Sequence, residues 1–217
     1  YNTLTNPFTG VFDGQGFTIK GIRWTFNVEN ETTHLHGLFG AIKDATIKNL
    51  KLGAAGDQIT LAGTSQNVVS AGALAGYAEG STIVNVTNNV SVILTGDNPD
   101  ATLMMLAGIA GCIKSTTIGG ETKDDAVINN GDVKTGRITN TANGGTGMNI
   151  GGICAFTLGA GTKLNYCTNN GEISAPTGRG GGLVGTLGGS TTEENGTVIA
   201  NSTNNGTIQD DAIGQYG

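Results

Sequence analysis

The residues able to do chemistry are few and scattered. His34 and His36 are the only two histidines in 217 residues. Alternate residues of a strand face the same way, so both imidazoles would share one face. Glu31 stands close by in sequence as a third group for a metal or an acid–base pair. No further ligand lies at tight spacing, and the pair sits in a polar connection just ahead of Gly37, which fits histidines that order a loop. Carboxylates occur in pairs at Asp124-Asp125, Glu193-Glu194 and Asp210-Asp211, with Asp97 and Asp100 in a proline-containing loop. Two carboxylates about 5–10 Å apart can cleave a glycosidic bond. Adjacent strand residues point to opposite faces, however, so a bare Asp-Asp pair does not bring its carboxylates together. Each pair falls in a Gly- and Thr-rich insertion, where solvated charge is the expectation.

Cys112, Cys154 and Cys167 cannot complete a disulfide framework. Each aligns with a small or apolar residue of another repeat: Cys112 with Phe156, Cys154 with Ala110, Cys167 with Val86 and Ser202. That pattern reads as buried thiols acting as small hydrophobes, and a Cys154–Cys167 bridge within one repeat stays open. The chain has no Gly-x-Ser-x-Gly elbow, no EF-hand loop and no calcium-binding Gly-Gly-x-Gly-x-Asp nonapeptide. The sequence therefore predicts no catalytic residue, no cofactor and no metal site.

A net charge of -6 and a pI near 4.7 argue against a nucleic-acid groove, which needs clustered basic residues. No apolar run approaches the roughly 20 residues needed to cross a bilayer. The chain opens at Tyr1 with no signal peptide in view, and so reads as a piece of something longer. Glycine supplies 38 residues, proline only 3, and charged residues 13%. This is a β-rich, extracellular kind of composition.

What must position any site is a repeat. The tetrad Gly37-Leu38-Phe39-Gly40 returns as Ala73-Leu74-Ala75-Gly76, Gly108-Ile109-Ala110-Gly111, Gly152-Ile153-Cys154-Ala155 and Gly182-Leu183-Val184-Gly185. A second mark follows it: Asn88-Asn89, Asn129-Asn130, Asn169-Asn170 and Asn204-Asn205, with Gly next in the last three. The tetrads begin at 37, 73, 108, 152 and 182, so the gaps are 36, 35, 44 and 30 residues. Short strands punctuated by Gly and Asn-Gly corners are what the local chemistry predicts, and no window carries helical spacing. A propeller would want more constant blades. A β-solenoid tolerates uneven gaps, because insertions loop out at corners while strands stack at about 4.8 Å. In this reading Gly37, Gly40, Gly76, Gly108, Gly111, Gly152, Gly182 and Gly185 let backbones approach across a narrow coil, and the apolar residue between them fills the interior. Asn88, Asn129, Asn169 and Asn204 would stack at a corner and satisfy backbone groups there. The other reading of the asparagines is a row of amides for sugar hydroxyls.

The N-terminal stretch Phe8-Thr9-Gly10-Val11-Phe12-Asp13-Gly14-Gln15-Gly16-Phe17-Thr18-Ile19, followed by Gly37-Leu38-Phe39-Gly40 and Ile47-Lys48-Asn49-Leu50, resembles the unit of the GLUG-repeat family of bacterial surface proteins. The later copies drift, with Ala73 and Ala155 replacing tetrad glycines. The resemblance implies an all-β, right-handed parallel β-solenoid of about five irregular repeats, approximately 1–53, 54–92, 93–133, 134–173 and 174–217, in a single domain. It also implies an extracellular, cell-surface setting, of the kind found in adhesins and around immunoglobulin A-cleaving peptidases. The functional expectation is a non-enzymatic module for adhesion, binding a glycan or host-matrix ligand, or a spacer. A polysaccharide-cleaving β-helix enzyme is the alternative, and acidic residues aligned on neighbouring coils would distinguish it. The binding candidates are the long connections 53–69, 94–106, 115–126 and 132–149, with Trp24 and Tyr77; Trp24 alternates with Ile22 and Phe26 and so is expected to face the core or cap the first coil. An uncapped end would expose strand edges and invite end-to-end association.

Overall fold

The computed structural model describes residues 6–29, 33–63, 68–95, 103–136, 147–175, 178–188, 196–209 and 215–216. The fold is a parallel β-solenoid whose strands fall into four sheets. One turn of the coil shows the plan. Thr46–Leu52 lies in a base sheet, Gln58–Ala62 in a flank sheet, Val68–Gly72 in a first arm and Ala75–Glu79 in a second arm. The chain then re-enters the base sheet one level down at Thr82–Asn88.

Registry between levels is set by identical or similar side chains. Thr46, Ile47 and Leu50 pair with Thr82, Ile83 and Val86. Gln58, Ile59 and Leu61 pair with Ser91, Val92 and Leu94. Every pairing between strands is parallel, and the one helical element among the described residues is a 3-10 turn at Lys123–Asp125. Alternation in each strand sends Ile47, Ile59, Leu61, Ile83, Val92 and Leu94 into one continuous buried interior. A one-residue slip would turn that whole set outward, so burial fixes the register.

The two arms are joined by the tetrad. Its first two residues make the bend, as at Ala73-Leu74 and Gly108-Ile109, and its last two open the second arm. Leu74, Ile109 and Ile153, each the second residue, are fully buried in the main core. The bends also bond to one another down the stack, Leu74 N donating to Ile109 O (3.0 Å) and Ile153 N to Leu183 O (2.9 Å). Between the arms lies a second apolar layer of Tyr77, Met105, Ala107, Cys112 and Ala155. The fourth tetrad residue sits where the arms touch. A methyl on Gly76 would meet the backbone of Leu35, His36 and Gly40, and one on Gly185 the backbone of Ile150 and Ala155. Glycine at 76 and 185 is thus required by contact between two strands, not by a turn, while the same place in the fourth copy holds the buried Ala155.

Candidate functional site

The two asparagines of each pair belong to two separate rows. Asn88, Asn129 and Asn169 are fully buried. Asn88 Nδ2 donates to Asn129 Oδ1, Asn129 Nδ2 to Asn169 Oδ1, and Asn169 Nδ2 to Asn204 Oδ1, each at 2.8 Å. The same amides close the corner that follows: Asn88 accepts from Val90 N–H (2.9 Å) and donates to Val90 O (2.9 Å). Asn129 treats Gly131 in the same way. These are buried backbone groups that would otherwise lack partners.

The inner row also touches the tetrads. Asn88 Nδ2 donates to Gly108 O at 3.0 Å. A methyl on Gly108 would occupy the space of the Asn129 amide, one on Gly152 that of Asn169, and one on Gly182 that of Asn204. At Gly108, Gly152 and Gly182 the first tetrad residue is glycine because an asparagine side chain fills its place, whereas a methyl on Gly37 would meet the backbone of Gly72 and Ala75. Level one has no such amide, since Leu52 stands in register with Asn88.

The outer row runs the other way. Asn130 Nδ2 donates to Asn89 Oδ1 (2.9 Å), Asn170 to Asn130 (2.8 Å) and Asn205 to Asn170 (2.9 Å). Asn130, Asn170 and Asn205 are exposed. An amide carries two N–H groups and two lone pairs, so a midrow residue such as Asn130 keeps one N–H and one lone pair for solvent or ligand. A third row escaped the sequence reading: Asn85 Nδ2 donates to Asn49 Oδ1 (2.8 Å), and Asn49 Nδ2 to Asp13 Oδ1 (3.0 Å). Asn49 and Asn85 both sit at left-handed φ, 54° and 49°, a conformation asparagine tolerates better than most residues. The Ile-x-Asn-Leu stretch around Asn49 was the available signal.

Trp24 is half-buried against the core, edge-on to Phe26 at 6.3 Å. Beside it Arg23, Thr25, Gly56, Gln58 and Thr60 line a shallow groove of about 250 Å³. Tyr77 is not available as a surface aromatic. It is buried between the arms, its hydroxyl 3.3 Å from Glu79, because the first arm covers the face that a lone strand would expose.

His36 stacks on Phe26 with ring centroids 4.3 Å apart, and Glu31 and the side chain of His34 lie outside what the structure describes. Among the described residues no group of three or more His, Cys, Asp or Glu is arranged to hold a metal. Asp97, Asp100, Glu193, Glu194, Asp210 and Asp211 also lie outside them, as do most of the connections 94–106 and 132–149. Asp125 departs from the expectation of a merely solvated charge: its Oδ2 accepts from Thr122 N (3.3 Å) and Thr122 Oγ1 (3.0 Å), capping the 3-10 turn.

Acidic side chains do align on neighbouring levels, each tied to lysine. Asp132 and Glu172 both lie 3.0 Å from Lys134 Nζ, and hydrogen bonds to Glu172 and Asp132 push the Lys134 ammonium above its usual range. Glu79 stands between Lys114 (3.3 Å) and Lys43 (3.9 Å). Burial alone would raise its carboxyl, but the hydrogen bond and charge of Lys114, with Lys43, hold it below the usual range.

The three cysteines are free and buried, so the Cys154–Cys167 bridge does not form. Cys112 opposes Phe156, Cys154 opposes Ala110 and Cys167 opposes Val127, which in turn opposes Val86. Burial pushes the Cys112 and Cys167 thiols up to about 12 and Cys154 well above its ordinary value. Such thiols are packing groups, not nucleophiles.

Compared with known proteins, the chain matches no family model, no curated sequence and no solved structure.

Proposed function

We propose that the chain is a non-enzymatic repeat scaffold of a bacterial cell surface, presenting a polar face that binds a glycan or matrix ligand in adhesion. The observation that carries this reading is the outer row Asn89, Asn130, Asn170 and Asn205, half-buried at Asn89 and exposed at the other three, with its amides in register from level to level. Each amide is held by its neighbour, so little side-chain freedom is lost when a hydroxyl binds the remaining N–H and lone pair. The buried Asn row and continuous core beneath give the face a rigid backing. A surface composition rich in Asn, Thr and Gly and poor in charge suits the same role.

The test is binding of the purified chain to an array of glycans and matrix proteins, with and without calcium, while released sugar is monitored. Retention without sugar release, lost in an Asn130→Ala/Asn170→Ala variant, is the expected outcome. New reducing ends from any polysaccharide would replace this reading with the enzymatic one. No binding at all would reduce the role to that of a spacer.

A further inference from the structure

The outer asparagine row does not stand alone. Two residues before each of its amides, on the same side of the strand, comes Thr87, Ile128, Thr168 or Thr203. These four are in register from level to level. Thr87, Ile128 and Thr168 are half-buried, and Thr203 is exposed. Threonine and isoleucine side chains thus make a narrow strip of methyl and hydroxyl groups beside a rail of amides. Strip and rail repeat together by translation, one unit per level, at the strand spacing of about 4.8 Å. Around the corner, beyond the rail, Asp132 and Glu172 share the ammonium of Lys134. Two carboxylates against one cation leave that border negative. In the strip's own column a cation, Lys51, stands one level before the amides begin, in register with Thr87.

We propose that this track binds a linear, uncharged, β-linked glycan laid along the stack axis, with roughly one sugar unit to each level. The assignment rests on the reading of the outer row as a recognition face, and adds the shape and charge of what that face takes. A surface that repeats by translation is matched at several levels only by a ligand that also repeats by translation. An extended β-linked glycan is such a ligand, and each pyranose unit lengthens it by close to one strand spacing. A compact or branched glycan reaches only a level or two. The sugar unit also divides chemically as the track does. Its C–H face suits the methyl-bearing strip, and the hydroxyls along its edge suit the remaining N–H and lone pair of each amide. A glycan bearing carboxylates would meet the Asp132 and Glu172 border, where like charge is unfavourable.

The experiment is calorimetric titration of the 217-residue chain with dimers, tetramers and hexamers of the cello-, xylo- and manno-oligosaccharide series. Malto-oligosaccharides, which coil, and oligogalacturonates, which are charged, serve as contrasts at the same lengths. In at least one β-linked series the tetramer is expected to bind about tenfold more tightly than the dimer, because each further level adds a hydrogen bond. Thr168→Lys sets a long side chain across the middle of the strip, in a column that already accommodates Lys51. It should abolish the gain with length while the circular dichroism of the parent chain is retained. Equal affinity for dimer and hexamer, a preference for malto-oligosaccharides or oligogalacturonates, or a gain that survives Thr168→Lys would each overturn the proposal. Binding of compact or branched glycans alone would overturn it and leave the reading of the outer row standing. No binding of any glycan would overturn both.

Discussion

Asn129 and Asn130 are the same residue at successive positions, and they do opposite work. Asn129 is fully buried, bonded to Asn88 and Asn169 and to both backbone groups of Gly131. Asn130 is exposed, and the hydrogen bonds of its side chain run along its own row. The inner row donates toward the C-terminal end and the outer row toward the N-terminal end. Period-two alternation of a strand creates this division. An amide turned inward must have every polar atom satisfied, whereas its neighbour can leave some to water. The inner row therefore belongs to stability, and the outer row is the part of the repeat free to recognise something.

The largest effect that sharpens this contrast comes from the glycine beneath the inner row. Gly108→Val places bulk where the Asn129 amide sits, so it adds overpacking to the loss of a buried amide. A loss of about 5 kcal/mol is expected in urea unfolding. Gly182→Val makes the equivalent collision with Asn204, an exposed side chain that can swing aside. About 2 kcal/mol is expected there. Equal losses at the two sites would mean that burial of the amide is irrelevant.

Smaller effects come from polar groups at the surface. Asp125→Ala removes the cap of the 3-10 turn and should cost about 0.5–1 kcal/mol, read as a lower urea midpoint; no change would return Asp125 to the status of a free charge. Glu79→Gln bears on acid stability. The Glu79 carboxyl is depressed, so its contribution is complete above the ordinary carboxylate value and disappears as pH falls through the depressed one. With Gln the acid limb of the stability curve should flatten, by no more than about 1 kcal/mol because the pair is partly solvated. An acid limb identical to that of the parent chain would show that Lys114 and Lys43 do not hold this carboxylate.

Much of the architecture was legible in the chain. The tetrad and the asparagine pair repeat, helical spacing is missing, and uneven gaps fit a coil that loops out at its corners. A β-solenoid follows from those facts, and its parallel form was what the resemblance implied. Alignment of repeats also placed Cys112 opposite Phe156 and Cys154 opposite Ala110, without the geometry of either arm. The sequence did not reveal why the two marks travel together. The Gly108–Asn129 contact joins residues 21 apart, and that distance carries meaning only once the bend, the second arm and the base strand are laid in order. Tyr77 was misjudged for a related reason. A five-residue strand with one apolar face looks half-exposed, and only the closeness of the arms, enforced at Gly76 and Gly111, buries its other face. The Asn49–Asn85 row was hidden because its asparagines occupy left-handed corners inside what reads as an unbroken strand.

The measurement that bears most directly on the account is urea unfolding of Asn129→Ala and Asn130→Ala side by side. Removing Asn129 strips partners from Gly131 and from the buried amides on either side, and the expected loss is about 3 kcal/mol. Removing Asn130 should cost less than about 0.5 kcal/mol, as surface substitutions do. Similar losses for the two variants, or a larger one for Asn130→Ala, would contradict the assignment of the inner row to the stack and the outer row to its surface.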